Sequence, residues 1–152
     1  MKFVEFLKKY RGFEPPRPDQ YGEWLGYRID SFDPANMILT TSLLIRADHL
    51  SPSGAVHGGV VSGFLDFSCG CLAFGVLDGQ KACSTVDLSV KYFRPLQEGD
   101  EIVAQADVIH LGRSLCSVSA VVTVKRDPGK QVAMATGTFN IYESKMRTPS
   151  NT

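Results

Sequence analysis

The chain has 152 residues, of which 43% are hydrophobic, enough for one domain with a substantial core but too few for two domains of ordinary size. Lys and Arg together number 16, as do Asp and Glu, so the formal net charge is zero. This balance argues against a nucleic-acid-binding or anionic-membrane-binding surface and favours small molecules or proteins as partners. The closely spaced charges of the first ten residues are unlike the apolar core of a signal peptide, so we expect a cytoplasmic protein.

The amino-terminal residues predict a short amphipathic helix over residues 1–10. Its apolar side chains recur at spacings of three and four: Phe3, Phe6, Leu7 and Tyr10. A proline-rich stretch at residues 14–20 cannot continue this helix and predicts an extended connector. We therefore expect a helical arm and linker over residues 1–20, a main domain over residues 21–143 and a polar, flexible tail over residues 144–152.

Alternating and β-branched patterns predict strands on both sides of a long apolar segment. Residues 24–32 and 37–47 form a predicted hairpin around a turn at 33–36. After the apolar segment, residues 85–92 place Val86, Leu88, Val90 and Tyr92 on one face, and three further strands follow at 102–111, 115–125 and 131–142 in a predicted meander. A turn is expected at Asp127 to Gly129.

The long apolar segment, residues 60–77, predicts a helix that is buried on all sides. Such a helix requires a sheet wrapped around it, so the predicted class is α+β, with a long antiparallel sheet around one central helix. Asp66 is the one acid in this segment, and burying a lone carboxylate in an apolar interior costs several kcal/mol or more. Asp66 is therefore expected to face a polar cleft or a partner, or to have a shifted pKa.

Small residues share the face of Asp66 by the three-and-four rule: Gly59, Ser62, Gly63, Gly70 and Ala73. Glycine inside a helix costs about 0.5 to 1 kcal/mol relative to alanine, so these positions need a structural or functional reason. One reason is free space beside the acid. The other is close packing of a neighbouring element, which is compatible with the first if that neighbour belongs to another subunit.

His57, Gly58 and Gly59 lie where the central helix begins, so their backbone N–H groups are predicted to be unpaired. The helix dipole there favours negative charge, which makes this turn a candidate oxyanion site. Taken alone, the triplet is explained more simply as an ordinary turn at the start of a helix. Nine residues separate His57 from Asp66, about 13 Å along a helix. The two groups therefore cannot readily serve one reacting atom within one chain, and a homodimer that combines them is the simplest arrangement.

The four cysteines include no CxxC pair and no histidine at metal-ligand spacing: Cys69, Cys71, Cys83 and Cys116. We expect free thiols in a reducing compartment and no metal site. Ser62 lacks the glycine spacing of a nucleophile elbow. His49 and His110 are interpreted as a loop and a strand histidine.

Three segments together resemble the hotdog-fold acyl-coenzyme A thioesterases of the phenylacetic-acid-degradation type: SPSGAVHGGVVSGFLD, STVDLSVKYFRPL and EGD. The resemblance covers about residues 24–142 and implies the hotdog fold and hydrolysis of an acyl-coenzyme A substrate, with no separate cofactor. It assigns thioester polarisation to the Gly58 N–H and orientation of the site to His57. It assigns the role of nucleophile or general base to Asp66, and to Thr85 a hydroxyl that holds water.

The resemblance also implies active sites between the chains of a homodimer, which pairs further into a tetramer. Ser51 stands where many members have asparagine, so this loop is expected to bind water or substrate differently; Gly59 and Ser62 are further candidates for substrate binding. Two alternatives stay open: a non-catalytic acyl-thioester-binding module, and a hotdog dehydratase or hydratase, for which we find no motif. Phe64, Phe67, Phe74 and the arm either line an acyl pocket or form core. Four basic residues either meet coenzyme A phosphates or are solvated: Lys91, Arg94, Arg113 and Lys125.

Overall fold

The computed structural model describes residues 1–144, which form an antiparallel sheet with one long helix packed against it. The helices are α1 (Phe3–Phe6), α2 (Gln20–Leu25) and α3 (Gly58–Gly75). A π-helical turn, Leu7–Arg11, follows α1, and a 3₁₀ turn, Ala47–His49, precedes α3. The strands are β1 (Arg28–Asp33), β2 (Ile38–Leu44), β3 (Lys81–Tyr92), β4 (Glu101–Leu111), β5 (Leu115–Val124) and β6 (Asp127–Glu143).

The six strands lie in the order β1-β2-β4-β5-β6-β3, and every pair is antiparallel. The predicted meander is therefore right for β4, β5 and β6 but wrong for β3, which pairs with β6. The position beside β4 is already taken by β2, so α3 carries the chain from β2 across to the far edge of the sheet. Within the described part of the chain, β1 and β3 are the two sheet edges.

Strand β3 does not show the predicted apolar face along its whole length. Thr85 lies opposite Phe139 and Asp87 opposite Thr138, so Val86 is a bulge residue, and its side chain is 62% exposed. Leu88 and Val90 are half-buried, whereas Tyr92 is exposed. The bulge re-aims the strand immediately after Thr85. Strand β6 also begins earlier than predicted, because its turn lies at residues 125–126 rather than at Asp127 to Gly129.

Helix α3 packs against β2, β3, β4, β5 and β6, which confirms an α+β hotdog arrangement. Its core side buries Val61, Phe64, Leu65 and Leu72, together with Ala73, which was expected on the opposite side beside Asp66. The helix is not buried on all sides, because a stripe that contains Gly63, Asp66, Phe67, Gly70 and Phe74 is only partly buried. By length and hydropathy α3 would pass as a membrane span, a test that the core helix of a soluble protein also passes.

A buried hydroxyl pair fastens α3 to the sheet. Thr41 on β2 and Ser68 on α3 are both fully buried, and their hydroxyl oxygens lie 2.6 Å apart. The Ser68 hydroxyl also donates to the Phe64 carbonyl at 2.7 Å, so Thr41 is the donor within the pair. Both hydroxyls are therefore satisfied in the core.

The amino-terminal segment, residues 1–27, completes the core. Phe6 and Leu7 are buried, in agreement with the predicted amphipathic helix, and the Phe6 ring meets the Phe32 ring edge-on at 5.2 Å. Ser144 donates its N–H to the Gln80 carbonyl, and the rest of the predicted tail, residues 145–152, lies outside the described residues.

Helix α2 was not predicted, and the predicted strand at 24–32 begins only at Arg28. Asp19 caps the helix by accepting the Gly22 N–H at 2.9 Å, and Gly26 ends it with φ of 81°, a conformation that favours glycine. The Arg46 guanidinium donates to the last carbonyls of the helix, those of Trp24 and Leu25. These caps fix a helix at Gln20–Leu25, the last two residues of which fall in the stretch 24–32 that was predicted to be a strand.

Candidate active site

Asp66 lies on the partly buried side of α3 and faces strand β3. Its carboxylate accepts a hydrogen bond from the Thr85 hydroxyl at 2.9 Å. Thr85 itself is exposed and lies directly before the bulge at Val86. The fold thus brings together two residues that are 19 positions apart in the chain, and Asp66 faces a polar neighbour, as its isolation in the apolar segment predicted.

Two cavities adjoin Asp66, of about 340 and 210 Å³. Phe3 and Phe67 line both of them. The larger cavity lies toward α2 and the connector and is lined in addition by Tyr21, Tyr27 and Gly63, among others. The smaller cavity lies toward β3 and β6 and is lined by Thr85, Phe74 and Phe139, among others. The carboxylate therefore adjoins spaces large enough for part of a small molecule.

The start of α3 forms the second half of the predicted site. His57 is the N-cap, with extended backbone angles (φ −63°, ψ 130°), and its Nδ1 accepts the Gly59 N–H at 3.0 Å. The His57 N–H donates to the His49 carbonyl at 2.9 Å. Of the three amides predicted to be unpaired, only that of Gly58 has no acceptor within residues 1–144. The prediction was wrong for His57 and Gly59, because the histidine side chain and a neighbouring carbonyl satisfy them.

Tyr92 was interpreted from the sequence only as an apolar strand position, but its hydroxyl donates to the Gly58 carbonyl at 3.2 Å. A cavity of about 350 Å³ adjoins this contact and is lined by Gly58, Val61, Tyr92 and Arg94, among others. Arg94 is thus the one basic phosphate candidate that lines this cavity, whereas Lys125 pairs with Glu101 at 2.8 Å.

His49 lies in the 3₁₀ turn before α3 and is hydrogen-bonded to the start of that helix through its backbone carbonyl. It is fully buried, unlike a typical loop histidine, and its Nδ1 accepts the Arg46 N–H at 3.2 Å. Burial lowers its pKa, and the neighbouring Arg46 guanidinium lowers it further. His49 is therefore neutral, and its backbone carbonyl accepts the hydrogen bond from the His57 N–H.

The remaining predicted site residues form hydrogen bonds or packing contacts with other residues of the described chain. The Ser62 hydroxyl donates to the Gly59 carbonyl at 3.3 Å, one turn into the helix. The Ser51 and Ser53 hydroxyls lie 2.8 Å apart in the loop before the helix. The expected free space at Gly63 and Gly70 is occupied by aromatic rings of the same chain, those of Tyr21 and Phe139.

One helix carries both halves of the predicted site and keeps them apart. Eight residues separate Gly58 from Asp66, which corresponds to about 12 Å at 1.5 Å per residue. The two residues also line different cavities. Within one chain, therefore, the amide and the carboxylate are not brought together around a common point.

The thiols near Asp66 are poor nucleophiles. Cys71 and Cys83 line the smaller cavity, and burial raises the pKa of Cys83 to about 12 and that of Cys71 well above its ordinary value. Both thiols are therefore protonated at neutral pH, whereas the thiolate is the reactive form. Within residues 1–144, no three His, Cys, Asp or Glu side chains are grouped as a metal site.

Residues 53–133, more than half of the chain, match the Thioesterase superfamily. The chain belongs to this superfamily. The matched region contains His57, Gly58, Asp66 and Thr85, and it leaves the amino-terminal segment outside.

Three known proteins are similar to this chain over between 63% and 89% of its length. A protein of Archaeoglobus fulgidus named "Putative esterase" is 28% identical over 98 residues, 63% of this chain, which spans only 59% of that protein. Acyl-coenzyme A thioesterase 13 of Mus musculus is 27% identical over 103 residues, 68% of this chain and 72% of that protein. The structure of a phenylacetic acid degradation-related protein from Ralstonia eutropha JMP134 is 30% identical, with a TM-score of 0.77, and the match covers 89% of this chain and 98% of that one.

Proposed function

We propose that the protein is an acyl-coenzyme A thioesterase, which hydrolyses a thioester to a free acid and coenzyme A. The observation that carries this proposal is the pair formed by the Asp66 carboxylate and the Thr85 hydroxyl beside two cavities. The unpaired Gly58 amide at the start of the same helix adds an oxyanion donor. The name of the mouse relative, an acyl-coenzyme A thioesterase, agrees with this substrate class.

We further propose a homodimer in which Asp66 of one chain faces Gly58 of the partner subunit, with two such dimers forming a tetramer. The separation of about 12 Å between the two groups within one chain supports this arrangement. So does the exposure of Ser84, Thr85 and Asp87 on an edge strand, because an open edge offers unpaired backbone groups to a second chain. In a two-fold symmetric dimer both sites are then completed in the same way.

In the proposed mechanism, Asp66 either attacks the thioester carbonyl carbon or removes a proton from a water that attacks it. The Gly58 N–H donates to the carbonyl oxygen as negative charge develops there. The carbon–sulfur bond then breaks, and sulfur leaves with the bonding electron pair and takes up a proton. If Asp66 attacks directly, a water then hydrolyses the resulting acyl–Asp66 anhydride, which releases the acid and restores the carboxylate. In either route the sum is addition of one water across the thioester bond, a reaction that we propose needs no metal or redox cofactor. His57 keeps the turn in place through its bond to Gly59.

Thiol release from a panel of acyl-coenzyme A esters tests the proposal. Asp66→Asn should lose about a hundred- to ten-thousandfold in kcat/KM, the range for a general base. Thr85→Val should lose about ten- to a hundredfold, the effect of one hydrogen bond to a carboxylate. Asp127→Asn, which changes an exposed acid at the start of β6, is the matched control and should keep wild-type activity. Equal rates for wild type and Asp66→Asn would overturn the mechanism. Stabilisation by acyl-coenzyme A without turnover would instead favour the non-catalytic binding module.

We also propose a cytoplasmic location, with which four cysteines that form no disulfide in the described residues agree. Roles in substrate binding for Ser51, Gly59 and Ser62 stay predictions. Gly59 and Ser62 lie within one turn of the Gly58 amide, and Ser51 lies in the loop that leads to it.

A further inference from the structure

The amino-terminal segment, residues 1–27, covers the side of α3 that carries Asp66. Phe6 lies against Gly75, and Phe3 meets Phe67 edge-on at 5.7 Å. Most of the wall of the larger cavity beside Asp66 therefore comes from this segment, which lies outside the part of the chain that matches the superfamily.

Phe67 lines both cavities that adjoin Asp66. Its ring is stacked on the Tyr27 ring and contacts the Phe3 ring, so it is held on both sides. The Tyr27 hydroxyl donates to the Asp19 carboxylate. Burial raises the pKa of Tyr27, and this hydrogen bond raises it further, so the phenol stays protonated and the ring stays anchored. The Phe67 ring is thus a fixed part of the wall of both cavities.

Tyr21 lines the larger cavity, and its hydroxyl lies beside Gly63, one helical turn from Asp66. A Cβ atom added at Gly63 would clash with the Tyr21 hydroxyl oxygen, so the position of the Tyr21 side chain depends on a glycine here. Gly63 precedes Asp66 by three residues and shares its face. The Tyr21 side chain is 54% exposed, so it can move toward solvent, unlike the buried Tyr27.

We propose that the larger cavity receives the acyl group and that Tyr21 limits its length, an inference that rests on the proposed thioesterase function. Six of the ten residues that line the cavity have aromatic or aliphatic side chains: Phe3, Val4, Pro15, Tyr21, Tyr27 and Phe67. This lining suits an uncharged acyl group, and the charged Arg17 and Asp19 line the same cavity. A volume of about 340 Å³, divided by the roughly 30 Å³ that one water-sized group occupies, holds about 11 non-hydrogen atoms. Linear acyl groups of up to about ten carbons therefore fill it.

The test is the kcat/KM profile over straight-chain acyl-coenzyme A esters from acetyl to palmitoyl. Wild type should decline beyond decanoyl, and Tyr21→Ala should move the optimum to acyl groups about two to four carbons longer, because the ring no longer closes the cavity. Gly63→Ala should move it in the same direction but less far, because the added methyl group displaces the Tyr21 hydroxyl toward solvent. Thermal unfolding of each variant establishes that it is folded.

A second substitution makes the test specific to this contact. Tyr21→Phe removes the atom that clashes, and the next ring atom, Cζ, lies 3.4 Å from the added Cβ, an ordinary contact. Gly63→Ala combined with Tyr21→Phe should therefore recover the wild-type profile, which a merely structural effect of alanine in the helix would not do. Cys83→Ala, which enlarges the smaller cavity, is the matched control and should leave the profile unchanged.

The outcomes separate the inference from the function on which it rests. An active enzyme whose profile is unchanged by Tyr21→Ala would overturn the inference alone, and a shift in Cys83→Ala instead would place the acyl group in the smaller cavity. If wild type hydrolyses none of the esters, the proposed function fails and the inference fails with it.

Discussion

Replacing Gly58 by proline removes one backbone N–H from the candidate oxyanion site while leaving the helix intact. Gly58 is the first residue of α3, a position at which proline is favoured because its N–H has no helical acceptor. His57 already has the extended backbone (φ −63°, ψ 130°) that a residue before proline requires. The Gly58 carbonyl, which accepts from Tyr92, is retained. The substitution therefore tests the effect of losing the Gly58 N–H by itself.

The expected loss is that of one oxyanion donor, about a hundred- to a thousandfold in kcat, or about 2.7 to 4 kcal/mol of transition-state stabilisation. Stability should be unchanged or higher by about 0.4 to 1 kcal/mol, because proline restricts the unfolded chain. Steady-state thiol release gives the first quantity and thermal unfolding the second.

Gly58→Ala is the control for this substitution. It keeps the N–H, and its Cβ would lie 3.7 Å from the Tyr92 hydroxyl oxygen, an ordinary contact. Alanine should therefore stay within about threefold of wild-type kcat, well short of the loss of a donor. If proline and alanine at position 58 show the same activity in folded protein, the Gly58 N–H is not the oxyanion donor.

Two further predictions concern the shared site and its support. Mixing Asp66→Asn chains with Gly58→Pro chains should recover about a quarter of the wild-type activity. Half of randomly paired dimers are mixed, and each mixed dimer has one intact site out of two. If no activity is recovered after subunit exchange, the site is not shared between chains. Ser68→Ala should lower the free energy of unfolding by about 2 kcal/mol in urea titration, because it leaves the buried Thr41 hydroxyl without its acceptor. Thr41→Val keeps the bond from Ser68 to the Phe64 carbonyl and should cost about 1 kcal/mol or less, so equal effects of the two would contradict the assigned donor direction.

The long helix and its lone acid could be predicted because both depend on composition within one element. Apolar residues over a helical length require burial, and Asp66 among them requires a polar neighbour. Thr85 as that neighbour followed from the resemblance to known thioesterases, since no local pattern links two residues on different elements. Helix α2 had a local signal, Asp19 before it and Gly26 after it, which the aromatic, strand-like composition of residues 24–32 obscured.

Other features depend on groups that are distant in the chain. The pairing of the His57 amide depends on the His49 carbonyl, and Gly63 is required by the Tyr21 ring, 42 positions earlier. The edge position of β3 follows from the pairing of β2 with β4. Composition and periodicity thus determine one apolar helix with a single acid among alternating strands, because periodicity reports burial along an element. Tertiary structure alone decides strand order, which amide at the helix start stays free and which rings enclose Asp66, because each depends on contacts between separate elements.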